Sequence, residues 1–559
     1  YDGEPFYNLG LALSMQQRYA EAYESFHKAI WNAAWQDAAY FALARLASRK
    51  GNFLQALDFV DRSLNRNARH YRARHLKIAL LRRSGNREEA RKEILQSLEC
   101  DPMEYGALWE RFLLESDPSF ENIVRPQAAI YIELALDYAH AGLFEEALNL
   151  LERVADQDPL AAYTVGWVLA QSGQEQAAGL MFRAAASIDA DYCFPNRIED
   201  VLVLQAAQRA NPQDARAPYY LGNFWYAHRC YDDAIACWER ARSLDPDFPT
   251  THRNLGLAYF NKVHDSRRSL ESFQKAFALD PSDARVFFEL DQLRKRMNRV
   301  PRERLVILEQ HMDLVRQRDD LSIEYISLLN LTGQHEEAYR QLMQRNFHPW
   351  EGGEGKVTAQ YVISLVEMAR AALAEGRAQA AIAALSRAQV YPHNLGEGKL
   401  YGAQENNIFY YLGCAFESLG ELRNAQANFE QASGGLSEPT SATYYNDQPP
   451  DMIFYQGLAQ LKLDHIEASH AIFTRLVEFG ATHLSDEVRM DYFAVSLPDF
   501  LVFDVDIHER NRLHCFYMMA LGHLGLGDLS AAKENFDAVL AMDPSHLGAT
   551  LHRRMIYQI

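Results

Sequence analysis

"PFYNLGLALSMQQRYAEAYESFHKAI", residues 5–30, holds two apolar-periodic stretches separated by a short polar turn. Apolar positions recur every three or four residues, the spacing of an amphipathic helix. Small residues stand at Gly10, Ala22 and Ala29, and a bulky one stands at Phe26. The same frame returns downstream as Ala44, Ala56, Val60 and Ser63, and then as Ile78, Ala90, Ile94 and Ser97. It recurs at Ala135, Ala147, Leu151 and Val154, and at Gly222, Ala234, Trp238 and Ala241. With a one-residue insertion it gives Gly256, Phe273 and Ala276. Later copies are Gly413, Ala425, Phe429 and Ala432, and Ala520, Ala532 and Phe536.

The period is about 34 residues, and one period is one helix–turn–helix hairpin. Small residues let the two helices approach, and the bulky residue fills the space beside them. Glycines at the turns (Gly51, Gly85, Gly142, Gly173, Gly333, Gly376, Gly420 and Gly527) suit the left-handed conformation that ends a helix. Prolines at Pro102, Pro159, Pro246, Pro281 and Pro544 then stop the second helix or start the next. One hairpin cannot bury its apolar face alone, so hairpins must stack. No strand-like alternation competes over a useful length.

This pattern resembles the tetratricopeptide repeat family, in roughly twelve to fourteen copies across most of the chain. The expected fold is therefore all-α, a right-handed α-solenoid of helix–turn–helix repeats. The resemblance implies a non-catalytic scaffold that binds a protein or peptide partner.

The frame breaks in five places. Residues 104–127 fit it poorly, as a degenerate unit or a bend. The other breaks are 346–360, 391–407, 433–450 and 481–512. The sequence thus divides into a regular array, 1–345, and a loop-decorated array, 346–559. The last break, "ATHLSDEVRMDYFAVSLPDFLVFDVDIHERNR", is aromatic, acidic and too long for a repeat joint.

Two of these loops are near-copies: "NFHPWEGGEGKV" (346–357) and "VYPHNLGEGKLYGAQENN" (390–407). Neither is a phosphate cradle, because Val357 and Leu400 stand where that motif needs Ser or Thr. No metal-ligand spacing of the HExxH kind occurs, and no metal or cofactor is expected. Carboxylates around an aromatic platform do have the residue types of a sugar site. The candidates are His348, Trp350, Glu351, Glu354 and Lys356 on the first loop, with His393, Glu397, Lys399 and Glu405 on the second. Stacked repeats would bring these loops out side by side as two walls of one pocket. The plainer alternative is two long inter-repeat turns, with Trp350 packed on the next helix. The phrases "FHPWEGGEGKVTAQY", "YPHNLGEGKLYGAQENNIFYYLG" and "LHCFYMMALGHLGLGD" also resemble the C-terminal part of large bacterial repeat proteins that carry a β-rich domain before the array. That resemblance implies a covalently linked N-terminal β-rich partner domain, and with it an oligosaccharide ligand as the alternative function.

Some repeat proteins of this family capture a terminal carboxylate with asparagines and basic residues in the concave groove. Asn223 and Asn254 fall on the two asparagine places, and Arg285 replaces a clamp lysine. Tyr219 and Glu289 depart from the pattern, and Glu289 would repel a carboxylate.

Charge narrows the partners further. With 56 Lys and Arg against 75 Asp and Glu, the net charge is −19. That opposes nucleic-acid binding and anionic membranes. No apolar run reaches the roughly 18–20 residues of a membrane span, and no signal peptide is visible. The six scattered cysteines form no framework and read as buried free thiols, so the expected location is cytoplasmic.

Overall fold

Hairpin after hairpin follows the repeat frame in a computed structural model of the chain. The structure describes residues 2–350, 352–441, 449–488, 502–504 and 506–557. Among these the regular structure is helical throughout, with no strand. The chain is an all-α repeat solenoid. The β-rich domain implied by the second resemblance gains no support here.

The small-to-large interlock is visible atom by atom. A Cβ added at Gly10 would come within 2.5 Å of the Phe26 ring, at Gly222 within 2.3 Å of Trp238, and at Gly413 within 2.5 Å of Phe429. Gly166 with Phe182 and Gly457 with Phe473 repeat the contact at 2.6 and 2.4 Å, two copies that the sequence frame did not pick out. Ser469 stands at the alanine place of the last copy and donates its hydroxyl proton to the Gly457 carbonyl at 2.8 Å. Turns lacking glycine still adopt the left-handed geometry, at Gln17, Arg229, His264 and Asp464. The turn is thus demanded by hairpin closure rather than by glycine alone.

Two compact units divide the chain, Tyr1–Asp247 and Phe248–Ile559. All four loop insertions lie in the second, whose buried core runs without interruption from Ala284 to Ala549.

In the first unit, the poorly fitting stretch is a helix, Tyr105–Glu115, and a short one, Ser119–Val124. Ser116 and Arg125 take positive φ where these helices end. A buried polar network holds this unit in place. Arg82 donates to Glu110 at 2.6 Å, Tyr138 donates to the same carboxylate at 2.5 Å, and the His75 ring meets Tyr138 at 2.9 Å. In the second unit, Arg304 is fully buried and lies between Asp291 and Glu324, at 2.6 Å from each. Its remaining reach goes to Ser545 at 3.1 Å, which ties the C-terminal region to the middle of the unit.

The cysteines depart from expectation in burial. All six are free, but Cys100 is exposed and only Cys193 and Cys515 are buried. Cys100 is the last residue of the helix Arg87–Cys100 and is not among that helix's buried residues.

Candidate functional site

Helices of several hairpins in the first unit, with the lone helix Ile198–Ala210, line a chamber of about 560 Å³. Helices Gln36–Arg49, Ala128–His140 and Pro159–Gln171 each contribute, although they lie far apart in sequence. Arg49 links them. Its guanidinium donates to the Ala139 carbonyl at 3.0 Å and to Gln171 at 3.1 Å. Its cationic group sits over the Tyr19 and Phe144 rings at 4.6 and 5.1 Å.

Arg45 is placed differently. It is half-buried and lines the chamber one helical turn before Arg49. Among the described residues no hydrogen bond or ion pair engages its guanidinium, which lies 5.4 Å from the Phe41 ring. Burial pulls its pKa below the ordinary arginine value, and the more distant Asp137 opposes that. Asp137 is itself paired with Arg72. Glu199 meets His140 at 3.2 Å, and that hydrogen bond holds the Glu199 carboxyl down at about 2. His140 is kept below its usual value, chiefly by burial. Arg209 stands exposed at the rim, and Trp167 supplies an aromatic wall. The lining thus carries Arg45, Arg49 and Arg209 against Glu175 alone, in a chain whose net charge is −19. A chamber of this size falls within the range of ordinary ligand pockets.

The two near-copy loops do meet, in the second unit. The Phe347 amide donates to the Asn394 carbonyl at 2.8 Å. The Asn394 side chain donates to the carbonyls of Leu342 and Arg345, both at 2.9 Å, and so caps the helix His335–Met343. The Glu397 carboxylate accepts from the Gly355 amide at 3.0 Å, ahead of the helix Lys356–Ala374. Burial raises the Glu397 pKa, and the Gly355 amide opposes the rise. His348 pairs with Asp319 at 3.1 Å, and Lys399 with Glu405 at 2.5 Å. Trp350 is half-buried against the core and lies over Gly353, where an added Cβ would come within 2.1 Å of its ring. Glu354, Lys356 and His393 are exposed. Glu351 lies outside the described residues.

The clamp positions fall in different units. Asn223 is in the first, where its carbonyl oxygen accepts from the Trp238 indole at 3.2 Å. Asn254 and Arg285 are in the second. Asn254 accepts from Arg253 at 3.3 Å, and Arg285 donates to Glu289 at 3.1 Å. Glu289 is buried and also accepts from Nε and Nη2 of Arg253, at 2.7 and 2.6 Å. Its charge is therefore compensated from two sides.

A second cavity, of about 430 Å³, lies within the second unit. The C-terminal helix Leu547–Arg553 forms one wall, and Val366, Asp451, Tyr455 and Tyr517 contribute to others. Burial pushes the Asp451 carboxyl up to about 6 and the His552 imidazole down to about 3. His552 Nδ1 lies 2.8 Å from the Gly548 carbonyl, while its Nε2 has no hydrogen-bond partner among the described residues.

Residues 231–263 match the family model described as "TPR repeat". The match covers one helical hairpin, and interlocked hairpins of the same kind lie on either side of it. Among solved structures it is similar to MamA, residues 41 to the end, from Desulfovibrio magneticus RS-1. There the identity is 23%, over 34% of this chain and 97% of that one, with a TM-score of 0.22. It is also similar to the Pseudomonas aeruginosa protein pilF, at 19% identity over 39% of this chain and 89% of that one, with a TM-score of 0.24. The APC/C hetero-tetramer Cut9–Hcn1 matches at 13% identity, over 100% of this chain and 96% of that one, with a TM-score of 0.25. Likeness at this level brings no partner or activity to this chain. Among the described residues no helix is long and apolar enough to cross a membrane.

Sequence reasoning missed the chamber. Arg45, Arg49 and Arg209 sit at ordinary repeat positions with no local motif. Arg45 and Arg49 share one face of Gln36–Arg49 while Arg209 lies on Ile198–Ala210, and only the packing of the unit brings them to one chamber.

Proposed function

We propose that the protein is a non-catalytic scaffold that binds a protein partner through the chamber of the first unit, taking an extended acidic segment. The observation that supports this is Arg45, a cation that lines the chamber with no hydrogen bond or ion pair to its guanidinium among the described residues. A half-buried cation of this kind has lost part of its hydration without gaining a carboxylate in exchange. A partner carboxylate meeting Arg45 would restore that loss, and a charge-assisted hydrogen bond is worth about 1.5–3 kcal/mol. Trp167 and the Tyr19 ring beside Arg49 offer flat apolar surface to neighbouring side chains of the same segment.

The test is fluorescence anisotropy with labelled short peptides that differ only in Glu against Gln. Acidic peptides should bind about tenfold or more tightly than their amide counterparts, and Arg45→Ala should remove that preference. Raising the salt concentration should weaken the acidic peptides selectively. Equal behaviour of the Glu and Gln peptides, or a preference that survives Arg45→Ala, would overturn the reading.

A further inference from the structure

The long break at 481–512 contains a short piece that behaves like a bound ligand. Residues Val502, Phe503 and Asp504 lie against the hairpin Pro249–Asn261 and Ser266–Leu279, about 240 residues upstream in the chain. Three devices hold the piece, and each reads a different feature of it.

The first reads backbone. The Asn261 side chain donates from Nδ2 to the Val502 carbonyl at 3.0 Å and accepts at Oδ1 from the Asp504 amide at 2.9 Å. One amide thus satisfies the donor and the acceptor that flank Phe503, as a neighbouring strand would. The second reads an aromatic side chain. Phe503 is 2% exposed. Its ring meets Phe260 at 4.9 Å and Phe273 at 5.7 Å, both edge-on, in a cleft completed by Leu290 and Leu293. The third reads charge. Lys262 pairs with Asp504 at 2.8 Å, at a site open to solvent.

Asn261 and Lys262 are adjacent where the first helix of the hairpin ends, so backbone reading and charge reading come from one place. Phe273 doubles as the bulky residue of the repeat interlock, since an added Cβ at Gly256 would lie 2.6 Å from its ring. The cleft is therefore made by the repeat itself, and the three downstream residues fill it.

We propose that this cleft is a recognition site for an extended peptide of the pattern apolar–Phe–Asp. The chain's own Val502–Asp504 occupies it in cis, and a partner protein's segment of the same pattern takes it in trans. The cis segment acts as an intramolecular competitor: tethering gives it a high effective concentration, so only a partner that out-competes it gains the site. The anionic partner expected at Arg45 plays no part in this inference, which concerns a separate cleft in the other unit.

The experiment uses the full chain and a labelled peptide spanning residues 499–506. Phe503→Ala empties the cleft, and the peptide should bind that variant about tenfold or more tightly than it binds the unaltered chain. Adding Asn261→Ala to Phe503→Ala should abolish the binding. Should Phe503→Ala fail to fold, as judged by circular dichroism, Asp504→Lys takes its place. That change replaces the solvent-exposed ion pair with a like-charge repulsion against Lys262, loosens the cis segment, and should strengthen trans binding severalfold. Combining Asp504→Lys with Lys262→Asp should restore the competition. A peptide that ignores the emptied cleft, or that binds unaltered chain and variant equally, would overturn the proposal and leave Phe503 as a structural plug.

Discussion

The chamber of the first unit and the cavity of the second are both built largely from first-helix faces, yet they treat charge in opposite ways. In the chamber, Arg45 keeps its charge and faces open space, with its neighbours Asp137 and Glu199 already paired to others. In the second unit, burial holds His552 and His546 well below their usual values and pushes Asp451 up. A buried charge of this unit, Arg304, is matched by Asp291 and Glu324. The C-terminal region also folds back on the unit, with Ser545 bonded to Arg304 and Arg554 donating to the Leu331 carbonyl at 3.1 Å. One repeat architecture thus yields a chamber lined by a cation without an ion pair among the described residues and a unit whose buried cation is paired within its own fold. A cation without an internal partner points to a ligand, whereas a matched and covered one points to stability.

The sharpest test of that contrast is a pair of arginine deletions. Arg304→Ala strands the Asp291 carboxylate in the core, while Glu324 keeps Lys295 at 3.0 Å, and should cost about 3–5 kcal/mol in urea unfolding. Arg45→Ala removes a cation with no counter-charge to strand, so stability should change by no more than about 0.5 kcal/mol. Comparable losses at the two positions would break the comparison.

Next in size is the repeat interlock, which both units share. Gly222→Ala drives a methyl group into the Trp238 indole and should cost about 1–3 kcal/mol. Gly413→Ala against Phe429 should behave alike in the second unit. A harmless Gly222→Ala would show that the interlock is loose.

Acid should affect the two cavities unequally. His552 has a folded pKa of about 3, against about 6.5 unfolded. The unfolded chain therefore binds the extra proton between those values. The contribution of His552 is complete above about pH 6.5 and is lost as pH falls through that window, by up to about 1.4 kcal/mol per pH unit. Asp451, with a folded pKa of about 6, contributes with the opposite sign, because the folded state binds its proton first between about pH 6 and 3.9. His552→Asn should therefore flatten the acid limb of the stability profile, and Asp451→Asn should steepen it. Profiles unchanged by either substitution would mean that the cavity is hydrated and its groups ordinary.

The smallest expected effect is at the paired loops. His348→Ala removes an exposed contact to Asp319 and should change stability by less than about 1 kcal/mol. Asn394→Ala, which uncaps two carbonyls, should cost about 1–2 kcal/mol.

How much was legible follows from where each signal resides. Gly10 with Phe26, Gly222 with Trp238 and the turn glycines announce their roles locally, because helix periodicity and small-to-large spacing act within one hairpin. The meeting of the two GEGK loops was also legible, since neighbouring repeats carry neighbouring loops. Arg45 was not legible, because nothing near it in sequence differs from an ordinary helical surface. Nor was the destination of Phe503, although the aromatic and acidic character of its segment was plain.

By itself, the sequence determined that helical hairpins form, how each closes, and that they stack, because those interactions span only tens of residues. Tertiary structure alone decided which arginines of distant helices line one chamber, and where a phenylalanine some 240 residues downstream would dock. Those outcomes depend on how many hairpins wind before two faces meet. That number comes from small rotations accumulated over repeats, and no local pattern of residues records it.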